Sequence, residues 1–270
     1  APWPHLTWDD AMLKYGTDKP DLRNPLVIQD VTAIFQRADV TFNAFKSVLE
    51  KGGVVRAIVA PDVGDKPRSF FDKLNDWARG EGAVGLGYII FDKDGFESLI
   101  SEISAESGIP YIPAGHGPYD FVDMFKGDMS VADAFKGPIA KFMSSNALKE
   151  LAATTGMRPG DAIFFVCDKA DKAAKMAGKA RDKICDDMGN RETNAFKFCW
   201  IVDFPMYEMY EKTGKIDFSH NPFSMMQGGL EADLGFLDGD HGFFQADLGV
   251  FHLHFLLQTR RFVLCSADRS

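Results

Sequence analysis

Three observations predict an α+β fold for this chain of 270 residues. Short β-rich and helical segments alternate from about Pro25 onward, the pattern of a compact module with a sheet and helices on one side of it. A continuous apolar run, Asp161 to Cys167, reads as a buried strand and leads into a long periodic segment, Asp168 to Met188, that reads as a helix. The composition, 46% hydrophobic and 26% charged, is that of a soluble globular chain able to bury one large core or two smaller ones.

Each element has its own justification. Residues 5 to 15 predict a short helix, with Thr7 as N-cap, Asp9 and Asp10 in the first turn and Gly16 as the stop. The next stretch, Tyr15 to Arg23, is polar and stiffened by Pro20; taken alone it reads as a connector. Val27 to Val31 and Gly53 to Val59 are β-rich, whereas Phe42 to Glu50 and Ser69 to Arg79 have helical spacing. In the latter, Phe70, Leu74, Trp77 and Ala78 fall on one face. Tyr88 to Phe91 predicts a further strand. Residues 95 to 136 show no sustained period apart from a helix near Phe96 to Ser107, and a proline-rich turn region runs from Ile109 to Tyr119. Gly137 to Phe142 leads into a helix at about Ser145 to Thr154, capped by Ser144 or Ser145. In the helix Asp168 to Met188 the residues Ala173, Met176, Ala177, Ala180, Ile184 and Met188 form the buried stripe.

The stretch from Phe198 to Ser224 carries the strongest chemical signal. It reads as a strand halted at Pro205, a polar turn at Lys212 to Lys215, and then Ser219-His220-Asn221-Pro222-Phe223. A proline fixes its own φ and biases the preceding residue towards extended geometry, so His220 and Asn221 are held as one wall of a small polar pocket. The same spacing also fits an ordinary hairpin with a proline-tipped turn.

Other signals are weaker. Gly80-Glu81-Gly82-Ala83-Val84-Gly85 matches a dinucleotide-binding pattern, but it follows a helix and precedes a strand, which is the wrong context for cradling a pyrophosphate. Lys172, Lys175, Lys179 and Lys183 share a helix face with interleaved acids, so a solvated face competes with phosphate contact. His252 and His254 alternate on a strand-like segment with no third metal ligand in place. No Ser/His/Asp or Cys/His nucleophile arrangement can be assembled. Cys167, Cys185, Cys199 and Cys265 lie far apart, as expected for reduced thiols. A net charge of −9 argues against a general nucleic-acid coat, and no apolar run of about 18 residues supports a membrane span. A local patch could still meet a folded RNA by shape. The start, Ala-Pro-Trp-Pro-His, has neither an initiator Met nor a signal pattern, so the expectation is an interior fragment or processed product from the cytoplasm.

Taken together, the polar signatures resemble those of bacterial-type aspartyl-tRNA synthetases, which are class II enzymes. Those carry a Y-G-S/T-D-K-P-D-L-R element, matched by Tyr15 to Arg23. They then carry an inserted α+β module shared with some tRNA-dependent amidotransferase subunits; Phe45 to Ala60, Gly137 to Phe142 and Gly160 to Phe165 look like it. Their chain returns through a W-V-V-D-F-P-M-F-E strand and an H-H/N-P-F-T/S loop, matched by Trp200 to Glu208 and His220 to Ser224. The resemblance covers roughly residues 5 to 230.

It implies a fragment of an antiparallel class II catalytic sheet (residues 1–24 and 196–230) interrupted by the module (25–195, atypical over 95–136). The implied reaction is aspartate–tRNA ligation with ATP and Mg²⁺: aspartyl-adenylate forms, and the aspartyl group passes to the terminal adenosine of tRNA. His220 would contact the aspartate substrate, and Asn221 stands where many relatives have a second His. The H-N form implies charging of both tRNA Asp and tRNA Asn. The implied enzyme is a cytoplasmic homodimer with no DNA or membrane partner, and no catalytic or metal-ligating residue is assigned in this chain. The competing reading is a non-catalytic tRNA-binding module related to an amidotransferase subunit.

The resemblance also has gaps. The first two class II motifs, with their ATP-binding arginine, would lie before Ala1, and the third beyond residue 270. A Y-D-x-x-x-N-G-x-E strand supplying a metal-binding acid is expected shortly after Leu230, but residues 231–270 contain no lysine, are rich in Phe and Leu, and match nothing in the family. The expectation is a coding frame lost near Ala232, which leaves the fragment inactive alone.

Overall fold

The computed structural model describes residues 3–107, 130–205, 207–210 and 214–218. The chain falls into two compact units. The larger comprises Leu13–Thr17 and Arg23–Thr193; the smaller comprises Ala1–Met12, Asp18–Leu22 and Asn194–Ser270.

In the larger unit a five-stranded sheet has the order β2-β3-β6-β4-β5, and every pairing is antiparallel. Its strands are β2 (Ile28–Asp30), β3 (Val54–Ala60), β4 (Gly87–Phe91), β5 (Phe135–Lys136) and β6 (Ala162–Asp168). The helices are α2 (Thr32–Phe35), α3 (Asn43–Leu49), α4 (Arg68–Gly80), α5 (Lys93–Ser107), α6 (Ser145–Thr155) and α7 (Ala170–Met188). The central strand β6 pairs with β3 from Ala162 opposite Ala60 to Asp168 opposite Val54.

Strand β6 explains the layering. Ala162, Phe164 and Val166 enter one core with Phe71, Leu74 and Ala78 of α4 and Ala173, Ala177, Ala180 and Ile184 of α7. Ile163 and Phe165 enter a second core with Ile34 and Phe35 of α2, Ile100 of α5, and Leu148 and Leu151 of α6. Helices therefore cover both faces of the sheet, which corrects the expectation of helices on one side. A strand apolar from Ala162 to Cys167 has no polar face to give to water, so both faces must be buried. The stripe of α4 is also rotated from the expected one. Phe71, Leu74 and Ala78 are buried while Phe70 and Trp77 are only half-buried, because Phe71 stacks on Tyr88 with ring centroids 4.5 Å apart.

Helix α6 starts where expected: the Ser144 hydroxyl accepts the Ala147 N–H at 3.1 Å. The same hydroxyl donates to Asp39, whose two carboxylate oxygens each accept from Arg37 at 2.8 Å. Arg37 also pairs with Glu150 on α6. The Arg37 guanidinium and the Ser144 hydroxyl hold the Asp39 carboxyl well below the usual carboxylate range. A carboxyl lowered in this way adds stability above its unfolded value of about 3.9, and that stability is lost as pH falls through the folded value. Asp39→Asn is expected to lower Tm at neutral pH, modestly because the pair faces solvent, and to converge with the unmodified protein in acid, so that the acid limb of a plot of Tm against pH is flattened. Superimposable acid limbs for the two proteins would refute the role given to Asp39.

In the smaller unit, β1 (His5–Thr7) pairs in parallel with β7 (Trp200–Val202), Leu6 lying opposite Ile201. Helix α1 (Trp8–Tyr15) follows directly, and its last three residues count with the larger unit. Thr7 caps it, accepting the Asp10 N–H on Oγ1 at 3.1 Å. The helix begins at Trp8 rather than residue 5 because the three residues before it are engaged in the strand pair. In place of one antiparallel sheet fragment, the described residues of this unit form two separate two-stranded sheets: β1–β7 is parallel, and β8 (Tyr207–Tyr210) with β9 (Lys215–Phe218) is antiparallel. Parallel strands need a long crossover, and the chain between Thr7 and Trp200 supplies one. Ala11, Cys199 and Ile201 form the small core, with Leu6, Trp8, Leu22 and Phe204 packed around it. Trp3 stacks on Phe198 with ring centroids 5.1 Å apart.

Candidate functional site

His220 and Asn221, the residues expected to meet substrate, lie outside the described residues, as do His252, His254, Cys265, the turn region Ile109 to Tyr119 and the tail 231–270. The strand that leads towards them is described. It ends after Val202, where Asp203 adopts a left-handed conformation with φ of 58°. That conformation is tolerated by aspartate and turns the chain towards Phe204 and Pro205.

The Y-G-T-D-K-P-D-L-R signature is described throughout. Its two stems, Tyr15–Thr17 and Arg23 onward, belong to the larger unit, and Asp18–Leu22 to the smaller. Both stems lie on α7. The buried residues of that helix include Ala173, Ala174, Ala177, Gly178, Ala180, Arg181, Ile184 and Cys185, a broader face than a single stripe. The face is broad because α7 packs on the sheet along Ala173, Ala177, Ala180 and Ile184 and carries the stems on the adjoining positions Ala174, Gly178 and Arg181.

The first stem touches backbone to backbone. Gly16 has φ of +71°, and a Cβ built on it would sit 2.2 Å from the Ala174 carbonyl oxygen and 2.6 Å from the Gly178 nitrogen. A Cβ on Gly178 would meet the Tyr15 carbonyl oxygen at 2.9 Å. Two glycines face each other across that approach, and the left-handed Gly16 is the more constrained of the two.

The second stem is held by Arg181, only 1% exposed. Its Nε donates to the Leu26 carbonyl at 2.5 Å and its Nη2 to the Asn24 carbonyl at 2.7 Å. The guanidinium also lies 4.9 Å from the centroid of the Tyr15 ring, so the same group reaches both stems. Asn24, 2% exposed, closes the network: its Nδ2 donates to the Arg181 carbonyl at 3.1 Å and to Asp182 at 3.0 Å, and its Oδ1 accepts the Leu26 N–H at 3.0 Å. Beyond α7, the Glu192 N–H donates to the Arg23 carbonyl at 3.1 Å, and Arg191 pairs with Asp186 at 2.9 Å. A buried guanidinium is tolerated only when acceptors replace water, and here two backbone carbonyls do so, with the Asp182 carboxylate 3.4 Å from Nη1. Within Asp18–Leu22, Lys19 Nζ lies 3.2 Å from Asp18 Oδ2.

The remaining signals have structural accounts. Gly80 to Gly85 forms the turn from α4 to β4, as its context indicated. Lys172 and Lys175 are exposed on α7, while Lys179 pairs with Glu81 and Lys183 with Asp187, as on a solvated face. Cys167, Cys185 and Cys199 are free thiols, and burial pushes Cys167 up to about 11, so it is not a nucleophile at neutral pH. Among the described residues no group of three His, Cys, Asp or Glu side chains could hold a metal ion, and no helix is long and apolar enough to cross a membrane.

Sequence reasoning missed Asn24, Gly178 and Arg181. The signal for Arg181 was present: it lies four residues after Ala177 and three before Ile184, squarely on the apolar stripe of the helix. An arginine there must either break the core or find buried acceptors.

Comparison with known proteins adds the family. The model of the GAD domain matches residues 45–111 and 125–177. The chain is 52% identical over 229 residues to an aspartate–tRNA(Asp/Asn) ligase of Methylocella silvestris, covering 85% of this chain and 31% of that protein. Ligases of the same name are 50% identical over 230 residues in Beijerinckia indica (85% and 33%) and 48% over 232 in Rickettsia bellii (86% and 32%). The chain spans about a third of the length of these curated relatives. With both polar signatures flanking the matched domain in the expected order, the chain belongs to the class II aspartyl-tRNA synthetase family, of which it spans a part that includes the GAD domain.

Proposed function

We propose that this stretch works within an aspartate–tRNA ligase. The observation that carries the reading is the identity of about half the residues, over 85% of the chain, to relatives named for that activity. The reaction would run in two steps. The α-carboxylate of aspartate attacks the α-phosphorus of ATP, releasing pyrophosphate and leaving aspartyl-adenylate. A hydroxyl of the terminal adenosine of tRNA then takes the aspartyl group, releasing AMP. Such chemistry rests on positioning and on neutralising phosphate charge.

His220 donates a hydrogen bond to the aspartate substrate, strengthened when the imidazole is protonated, with Asn221 beside it. The H-N form, together with the Asp/Asn designation of the relatives, supports charging of both tRNA Asp and tRNA Asn. ATP and Mg²⁺ are the cofactors. The described residues do not fit a Mg²⁺ site, since no three potential ligands come together among them. The proposed organisation is catalytic-domain sequence over 1–24 and 196–230, the inserted module over 25–195 with an atypical stretch at 95–136, and a tail over 231–270 that is out of frame. The relatives align over 229 to 232 residues, leaving unmatched a length close to that of the tail. The working protein is a cytoplasmic homodimer.

ATP–pyrophosphate exchange tests the reading. The full-length protein is expected to exchange only when aspartate is present, and the 270-residue chain alone to give none. His220→Ala in the full-length protein should raise the KM for aspartate on the order of 10-fold or more while leaving the KM for ATP unchanged. No exchange by the full-length protein even with aspartate present would leave the non-catalytic module as the better reading.

A further inference from the structure

We propose that Arg181, on the inserted module's long helix, is a positioning residue for the ligase reaction: it fixes both stems of the Tyr15–Arg23 loop. This rests on the ligase reading above. The loop holds four charged residues, Asp18, Lys19, Asp21 and Arg23, within six positions, so its conformation decides where those charges stand.

The geometry favours a device over simple packing. A helix that needed only to cover the sheet would place an apolar side chain at position 181, since burying an ion costs more than burying a methylene chain. Here the two shortest hydrogen bonds of the guanidinium go to main-chain atoms of the loop's far stem, the carbonyls of Asn24 and Leu26, while Nη1 stands 3.4 Å from Asp182 on its own helix. Its flat face lies on Tyr15 at the near stem. Carbonyl acceptors are independent of the side chains at 24 and 26, so the arginine reads the path of the chain. The planar fork also sets the angle between the two donors, which an ammonium cannot do. Gly16 and Gly178 bring the near stem within reach by letting the backbones meet. The helix, the arginine and the glycine pair therefore act on one target, the loop. The module that carries them thereby becomes a support for the loop as well as an insertion between two segments of catalytic-domain sequence.

Two measurements on two variants test this. Arg181→Lys retains the charge but loses the fork and the stacking plane. Tyr15→Leu removes the stacking partner and leaves the arginine's hydrogen bonds in place, so it carries the test if Arg181→Lys does not fold. In the 270-residue chain, hydrogen exchange at the amides of residues 16–24 is expected to quicken by about 10-fold or more, with exchange in β3 and β6 unchanged. In the full-length protein, kcat/KM for aspartate in pyrophosphate exchange is expected to fall on the order of 10- to 100-fold, as displacement of a positioned group by about an ångström does. Lys175→Ala, exposed on the same helix, serves as the control and should change neither quantity.

The outcomes separate the two ideas. Loop exchange that stays slow in both variants, or a normal kcat/KM for aspartate in a protein whose Tm has fallen, makes Arg181 merely structural and overturns the inference. Absence of aspartate-dependent exchange in the unmodified full-length protein overturns the ligase reading instead. Quickened loop exchange alone would then uphold the anchoring but not its part in the reaction.

Discussion

Phe164→Ala is expected to cost the larger unit about 3–5 kcal/mol. The ring is 1% exposed in the middle of the central strand β6. It stacks on Phe71 of α4 with centroids 5.8 Å apart, and Phe71 in turn stacks on Tyr88 of β4 at 4.5 Å. Truncation leaves a cavity between the sheet and two helices. The neighbours cannot collapse into it without tearing the ladder that β6 shares with β3 and β4, so the cavity cost adds to the lost transfer energy. Urea unfolding followed by circular dichroism gives the number. A cost below about 1.5 kcal/mol would mean that the site relaxes freely, as volume-conserving swaps do, and that β6 is not the packed centre of the unit. Phe165→Ala, on the opposite face of the same strand, is the natural companion, because it probes the other core.

The same strand shows what was legible in the sequence. The run Asp161 to Cys167 announced a buried strand because it is apolar without interruption, and Asp168 to Met188 announced a helix because its alanines recur at helical spacing. The number of layers was readable too, since an unbroken apolar strand requires cover on both faces, but alternation of segments alone does not reveal it. The rotated stripe of α4 was not readable. Phe70 and Phe71 are equally apolar, and only the position of Tyr88, distant in sequence, decides which of them is buried. The parallel pairing of β1 with β7 escaped for a similar reason, because three residues beside a helix carry too little periodicity to separate a strand from a helix start.

The candidate site divides in the same way. Tyr15 to Arg23 stood out through its run of polar and turn-forming residues. Its anchor on α7 depends on pairings more than 150 residues apart in sequence, between Asn24 or Leu26 and Arg181, which no local pattern encodes. Arg181 was nonetheless exposed by a local conflict, a charged residue on an apolar stripe. Such conflicts are where function or special structure is to be sought.

Gly16→Ala is expected to destabilise the chain by about 2–4 kcal/mol, and its coupling to Gly178 provides the sharper test. Two costs combine in the single substitution. A left-handed φ of +71° disfavours any side chain by about 1 kcal/mol. The new methyl would also lie 2.2 Å from the Ala174 carbonyl oxygen and 2.7 Å from the Gly178 Cα, which are backbone atoms of a helix and cannot swing aside. Relief requires lifting the stem off α7, an overpacking cost of about 1–3 kcal/mol. Gly178→Ala differs. Alanine favours the helix by about 1 kcal/mol, which offsets much of its own 2.9 Å encounter with the Tyr15 carbonyl. Its net effect should be small. The double variant decides whether the two glycines serve one contact. Once Gly16→Ala has lifted the stem, the gap at Gly178 is already open and its alanine brings only the helix gain. The double variant should then be more stable than the sum of the single effects predicts, by about 0.5–2 kcal/mol. Denaturant unfolding of the four proteins measures that coupling. Strict additivity would mean that the stem and the helix do not meet at these glycines. A positive coupling would show that the approach of Tyr15 and Gly16 to α7, on which the grip of Arg181 depends, is a single close contact made possible by two missing side chains.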